Sequence, residues 1–293
     1  MNGVFHRLYY ALTEYKRKGE TTLILGAGCS LSSTIKDVST IGIMKESLYE
    51  HNIAIDDEKN WEDIYSNFIN VVWSGKTERE QRELLNKRFE GMTPTNAHKC
   101  LKNLIEAGYI NNIITTNFDL LIETVCEDMS YLKRTGDMGY SKHGNAEPKF
   151  NLLKVHGDLD SGILRFSPAE LMKLSPDLSN DINKKTQGLT IFIGYRGQDV
   201  GLMNSINCNS SSSMFWIDIS GPYNQNSYEA QKIINLLSAR ESLENVLSGK
   251  KFGDFNNILP ELNSILVLKN HKSIINAQKK HLISEWQDTS ILD

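Results

Sequence analysis

A doubly wound α/β sheet is the fold this chain predicts, on three observations. Five short apolar runs have the composition of strands covered on both faces, helical patterns separate them, and chemically useful residues follow directly on the runs. The runs are Thr21–Leu25 (TTLIL), Asn112–Thr116 (NIITT), Asn151–Val155 (NLLKV), Leu189–Ile193 (LTIFI) and Met214–Ile219 (MFWIDI). Each is rich in aliphatic, β-branched or aromatic residues and lacks the clean alternation of a half-exposed strand.

Before the first run, Leu8–Leu12 is the longest unbroken apolar stretch, closely bracketed by Arg7 and Glu14. That pattern is not a signal peptide, and nothing approaches the roughly 18 apolar residues of a membrane span. A soluble, cytoplasmic protein is expected. Between Leu25 and Asn112 lies far more chain than the roughly 30 residues a helical crossover needs. Periodic segments near Ile43–His51, Trp61–Trp73 and Glu78–Phe89 predict an all-helical insertion over 38–92, folded as a cap on the sheet's edge. Thr93-Pro94 predicts a helix start, with Gly108 as the stop after Ala107. Ser167-Pro168 predicts a second, short helix in the same way, and Asn207–Ser213 reads as a polar loop. Residues 221–293 form a mainly helical segment, with helices over Tyr228–Leu247 and His271–Trp286 and one more strand at Ser264–Leu268.

Composition narrows the function. Of 293 residues, 40% are apolar and 23% charged, and six are proline, the balance of a folded globular chain. Lys+Arg 32 against Asp+Glu 36 gives a net charge of −4, and the basic clusters are short (Lys16-Arg17-Lys18, Lys184-Lys185, Lys279-Lys280). No basic stripe exists to neutralise many phosphates, which argues against a nucleic-acid binder. Cys29, Cys100, Cys126 and Cys208 contain no C-x-x-C pair, so a cysteine zinc module cannot be assembled. Buried, reduced thiols are expected.

In open α/β sheets ligands sit beyond the carboxyl ends of the strands. The first strand runs into Gly26-Ala27-Gly28-Cys29-Ser30, a turn whose glycines let the backbone approach a pyrophosphate and whose amides can meet its charge. Position 31 is Leu, so the full G-x-G-x-x-G fingerprint of a dehydrogenase fails. The second strand ends Thr115-Thr116-Asn117-Phe118-Asp119, placing an amide and a carboxylate on one side of the chain. Either can orient a water or a sugar hydroxyl, or cap the helix that follows. The third ends Val155-His156-Gly157-Asp158, where an imidazole can serve as general base or as a hydrogen-bonded structural group. The other six histidines have no comparable setting. The fourth strand delivers Gly194, Tyr195 and Asp199, and the fifth Asp218 and Ser220; either can hold the adenosine half of a dinucleotide.

The order G-A-G-x-S, T-x-N-x-D, H-G resembles the sirtuin (SIR2) superfamily, and is closer to the SIR2-like NAD-hydrolysing domains of bacterial antiphage defence systems than to protein deacylases. The strings T-T-N-F-D-L-L-I-E, K-V-H-G-D-L and I-G-Y-x-x-x-D share that likeness, from about Thr21 to Ser220. The resemblance implies one SIR2-like domain over 1–293 with a Rossmann-like sheet. It implies NAD+ as substrate and no metal, cleaved to nicotinamide and ADP-ribose in an abortive-infection response. Gly26, Ala27, Gly28, Ser30 and Thr116 would contact the dinucleotide, Asn117 and Asp119 would face the nicotinamide ribose, and His156 would be catalytic. Gating by a homo-oligomer or a partner (a HerA-like ATPase, an Argonaute-type protein or a STAND-type NTPase) is implied as well. Deacylating sirtuins carry a four-cysteine zinc module and a proline- and arginine-containing first loop. This chain has Leu31-Ser32-Ser33-Thr34 there, which disfavours the alternative of an NAD-dependent deacylase. A module that binds NAD+ or ADP-ribose without cleaving it is the other alternative.

Overall fold

The computed structural model describes residues 3–31, 40–53, 55, 61–165, 172–222 and 228–269. The expected helix at His271–Trp286 and the Ser167-Pro168 helix start lie outside them. Eight strands form one sheet: β1 (Thr21–Leu25), β2 (Asn112–Thr115), β3 (Tyr131–Thr135), β4 (Ser141–His143), β5 (Asn151–Lys154), β6 (Leu189–Ile193), β7 (Met214–Ile217) and β8 (Val246–Leu247). Their order is β4-β3-β5-β2-β1-β6-β7-β8, and every neighbouring pair is parallel except β3–β4. The chain fills one side of β1 first and then crosses to the other, so the topological switch point lies between β1 and β6. Register makes the carboxyl ends level there, with Lys154 opposite Thr115, Thr115 opposite Leu25, and Leu25 opposite Ile193.

All five expected strands are present, shorter by up to two residues at their ends. Three strands were not foreseen. The sequences of β3 (YLKRT) and β4 (SKH) are too polar to read as sheet, and β8 is two residues long. Two expectations are overturned: the helix expected over Tyr228–Leu247 ends at Ala239, with Val246–Leu247 in β8, and Ser264–Leu268 (SILVL) is a π-helical turn continuing a helix, not a strand. Five apolar residues have no distinguishing period, and the preceding helical turn supplies the hydrogen-bond partners that decide the matter.

Helices cover both faces. On one, α1 (Gly3–Lys16), α5 (Asn96–Glu106) and α11 (Phe255–Asn263) bury Leu8, Leu101 and Ile258 against Leu23, Ile113 and Ile191. On the other, α7 (Pro176–Lys185), α8 (Val200–Ser205) and α9 (Tyr228–Ala239) bury Leu178, Leu202 and Leu237 against Ile24, Ile114 and Phe192. Successive strand residues thus serve opposite cores, as the pleat requires. A third cluster belongs to α2 (Thr40–Glu50), α3 (Trp61–Asn67, continued as a π turn through Trp73) and α4 (Glu78–Phe89), with Leu48, Phe68 and Leu85 at its centre. Phe118, from the end of β2, plugs into this helical core, and Leu159 and Leu164 flank it. The short helices α6 (Leu121–Val125) and α10 (Gly249–Phe252) complete the described elements.

One helix start differs from expectation, and one was not foreseen. The N-cap of α5 is Thr95, two residues beyond Thr93, and its amide donates to His98 Nδ1 at 3.1 Å. The imidazole takes the place that Glu or Gln holds in a capping box. A Ser-Pro start occurs at Ser175-Pro176, where Ser175 Oγ accepts from Leu178 N–H at 3.3 Å. Cys29, Cys100 and Cys126 are buried as expected, whereas Cys208 is exposed in the polar loop; all four are free thiols.

Two predictions follow from packing. A Cβ on Gly26 would lie 2.5 Å from the carbonyl oxygen of Gly194, a backbone atom, while one on Gly75 meets open space. Gly26→Ala should cost about 1–3 kcal/mol in denaturant unfolding, and Gly75→Ala about 0.5 kcal/mol or less. Burial holds His98 down at about 4, against an ordinary value of 6.5. The unfolded chain therefore binds a proton that the native state refuses between those values. Stability should be full above pH 6.5 and fall by about 3 kcal/mol as pH drops towards 4. In His98→Gln, which keeps an acceptor at the cap, thermal unfolding should lose that part of its pH dependence.

Candidate functional site

The turn after β1 is a single 3-10 turn, Ala27–Cys29. Its amides are committed within the protein: Gly26 N–H donates to Ile193 O (3.2 Å), Gly28 to Gly194 O (3.0 Å), Cys29 to Gly26 O (3.0 Å) and Ser30 to Ala27 O (2.9 Å). These four amides, which the sequence sets toward a pyrophosphate, have main-chain acceptors within the protein. The glycines instead bring two strand-end turns into backbone contact across the switch point, and Gly194 adopts φ +60° to do so.

Asn117 reaches back over this turn. Its Nδ2 donates to Gly26 O at 3.0 Å and to Ser30 Oγ at 2.9 Å. Ser30 donates in turn to Asp119 Oδ2 at 2.7 Å, and Asp119 Oδ1 accepts from Leu121 N–H at 3.1 Å. Serine, amide and carboxylate thus form one chain of hydrogen bonds, and Asp119 also caps the short helix α6. Thr116 is half-buried beside them. Asp119, 6% exposed, reaches this network because Phe118, its neighbour, is held in the helical cap.

His156 is 3% exposed and stands two residues beyond Lys154, as Asn117 stands two beyond Thr115, the register partner of Lys154. The two residues therefore occupy equivalent positions on adjacent strand ends. His156 Nε2 meets Asp199 Oδ2, and Asp199 Oδ1 caps α8 by accepting from Leu202 N–H at 2.8 Å. Nδ1 is buried and has no hydrogen-bond partner among the described residues. Two residues expected at the adenosine half have partners within the protein. Asp199, expected at the adenosine half, has both carboxylate oxygens engaged, one by the imidazole. Tyr195, expected beside it, has its ring in the core, stacked on Phe192 with centroids 6.0 Å apart, so its side chain is not available to a ligand. Asp218 is half-buried past β7 and accepts from Ser220 N–H at 3.2 Å.

Beneath the site lie charges that sequence reasoning missed. Lys133 Nζ pairs with Glu123 Oε1 at 2.9 Å and Asp158 Oδ2 at 2.7 Å. Lys154, 1% exposed, pairs with Glu123 Oε1 at 3.4 Å and donates to the main-chain oxygen of Asp119. Burial works against the charge of Lys133, but Glu123 and Asp158 outweigh it and hold the ammonium up at about 12. Burial also raises Asp158, yet Lys133 and Lys154 bring it below the usual carboxylate range. The signal available in sequence was a lysine set into an otherwise strand-like run, as in both YLKRT and NLLKV.

His98, set aside in the sequence, lines a cavity of about 10 Å³ with Ser30, Asn117, Asp119 and Lys154. That is room for about one water molecule. A second, open concavity of about 430 Å³ lies between Phe89, Glu90 and Leu159, where the helical cap meets the loop after His156. Among the described residues no His, Cys, Asp and Glu cluster could hold a metal ion, and no helix is long and apolar enough to cross a membrane. Leaving Lys133 and Lys154 without their shared carboxylate should cost Glu123→Ala about 3–5 kcal/mol in denaturant unfolding, much more than Glu83→Ala on the exposed face of α4.

No curated protein matches the chain in sequence. Solved structures similar to it include one determined for the mechanism and regulation of Sir2 enzymes (10% identity, TM-score 0.48, 90% of this chain and 97% of that one). Others are a mutant Sir2 homologue with ADP-ribose (14% identity, TM-score 0.48, 90% and 95%) and a Sir2 homologue with NAD (13% identity, TM-score 0.45, 88% and 92%). Residues 111–237, the segment from β2 through α9 that carries Asn117, Asp119, His156 and Asp199, match the family described as a SIR2-like domain.

Proposed function

We propose that this protein is an NAD+ glycohydrolase, cleaving NAD+ to nicotinamide and ADP-ribose as the effector of a bacterial antiviral response. The observation that carries the reading is the hydrogen-bonded chain from Asn117 through Ser30 to Asp119, with Asn117 also on Gly26, at the end of the strand next to the one that His156 follows. The SIR2-like match over 111–237 supports it. A dinucleotide would lie across the switch point, with Gly26, Ala27, Gly28, Ser30, Thr116, Gly194 and Asp218 along its path.

Nicotinamide leaves NAD+ as a neutral molecule carrying the bonding pair, so no strong acid is needed. Asn117 would position the attacking water and Asp119 would support the ribose and the positive charge that develops on it. His156 would take the water's proton as the new C–O bond forms. Removing such a base is worth roughly 10²–10⁴ in rate. The cavity of about 10 Å³ beside Ser30, Asn117 and Asp119 is far below the roughly 300 Å³ of an ordinary ligand pocket. Turnover therefore requires the strand-end loops to part, which makes self-assembly or a gating partner the natural trigger.

Purified protein, alone and with candidate partners, should be incubated with NAD+ and the products separated by chromatography. Nicotinamide and ADP-ribose should accumulate, and His156→Ala and Asn117→Ala should reduce their rate at least about 10²-fold while thermal unfolding stays cooperative. Parent-like rates in those variants would refute the assignment. Calorimetric NAD+ binding without nicotinamide release would favour a non-catalytic module, and turnover dependent on an acetyl-lysine peptide would favour a deacylase.

A further inference from the structure

The neighbourhood of His156 has a feature that the proposed reaction does not by itself require. His156 comes from β5 and Asp199 from the turn after β6, and β2 and β1 lie between those strands. The His156–Asp199 pair therefore closes over the ends of two strands and joins the two halves of the sheet. Asp199 is held in place independently of the imidazole, through its cap on Leu202 N–H at 2.8 Å. An ionised carboxylate can only accept hydrogen bonds. A neutral imidazole facing it must therefore carry its hydrogen on Nε2, which leaves the lone pair on Nδ1. Nδ1 is the buried atom with no partner among the described residues. A buried acceptor left without a partner is destabilising, and such exceptions in folded proteins call for a reason.

We propose that Asp199 is a positioning residue that locks His156 as the Nε2–H tautomer, so that Nδ1 is the atom that accepts the proton of the attacking water. This deepens the glycohydrolase reading and rests on it. The proton moves from the water oxygen to Nδ1 as that oxygen bonds to the ribose carbon and the carbon–nitrogen pair departs with nicotinamide. The resulting imidazolium then lies against the Asp199 carboxylate.

The cap makes the proposal testable with two substitutions. In Asp199→Asn the side-chain oxygen stays on Leu202 N–H, which leaves the amide nitrogen pointing at Nε2. The amide donates, so the imidazole hydrogen is driven onto Nδ1 and the base is lost. In Asp199→Ala the tautomer is free and part of the population stays competent. A purely structural role for Asp199 gives the opposite order, because Asn caps a helix about as well as Asp and Ala does not. The expected result is that Asp199→Asn retains the higher melting temperature yet hydrolyses NAD+ roughly tenfold or more slowly than Asp199→Ala. Equal or faster turnover by Asp199→Asn overturns the proposal. Nitrogen-15 NMR of the His156 imidazole gives a readout without turnover: the parent should show Nε2–H with a bare Nδ1, and Asp199→Asn the reverse. Should no form of the protein cleave NAD+, the glycohydrolase reading fails. The tautomer lock is then decided by the NMR signature alone, and a parent with hydrogen on Nδ1 refutes it.

Discussion

Two lysine side chains are buried in the sheet, Lys133 at the middle of β3 and Lys154 at the carboxyl end of β5, and their charge has to be met there. Glu123 is shared by both, Asp158 takes the second bond of Lys133, and the Asp119 carbonyl takes a bond from Lys154. Each of these partners belongs to a segment that also carries a candidate functional residue: Asp119 and Glu123 follow Asn117, and Asp158 follows His156. Isolated buried charges are prohibitively costly. The loops after β2 and β5 therefore cannot shift independently without breaking the network, and it fixes the height at which Asn117 and His156 stand above the sheet.

The opposite side of the switch point is tied by different means. There the contact is backbone on backbone, Gly28 on Gly194, in a space that excludes even a methyl group. The result is a close backbone seam between β1 and β6, and the His156–Asp199 pair spans it from the end of β5. The helical insertion attaches at the remaining corner, where Phe118, Leu159 and Leu164 enter its apolar core. Displacing those helices would pull on the residue between Asn117 and Asp119. The cap is thereby packed directly against the segment that carries Asn117 and Asp119.

Much of this was legible beforehand. The five buried strands announce themselves because a parallel strand covered on both faces must be apolar throughout, and the residues that follow them fall at the ligand-binding edge by topology. Legibility failed where residues are stabilised by distant partners. β3 contains Lys133 and Arg134, and no local rule makes a strand of YLKRT when its charges are paired by Glu123, Asp158, Asp177 and Asp181. His98 had no setting in the sequence comparable to that of His156, yet it caps α5 and lines the cavity. SILVL looked like a strand because nothing within five residues reveals that a helix is already running into it.

Five of the eight strands, and the edge on which chemistry could gather, were readable from the chain alone, since hydrophobic period, turn residues and strand order are local or topological properties. Only the tertiary structure decided the pairings. It gave Asp199 to the imidazole, sank Tyr195 into the core, and turned the amides of the glycine turn inward. Those outcomes depend on which side chains and carbonyls meet across strands far apart along the chain, where a hydrogen bond or ion pair forms only if both partners arrive within about 3 Å.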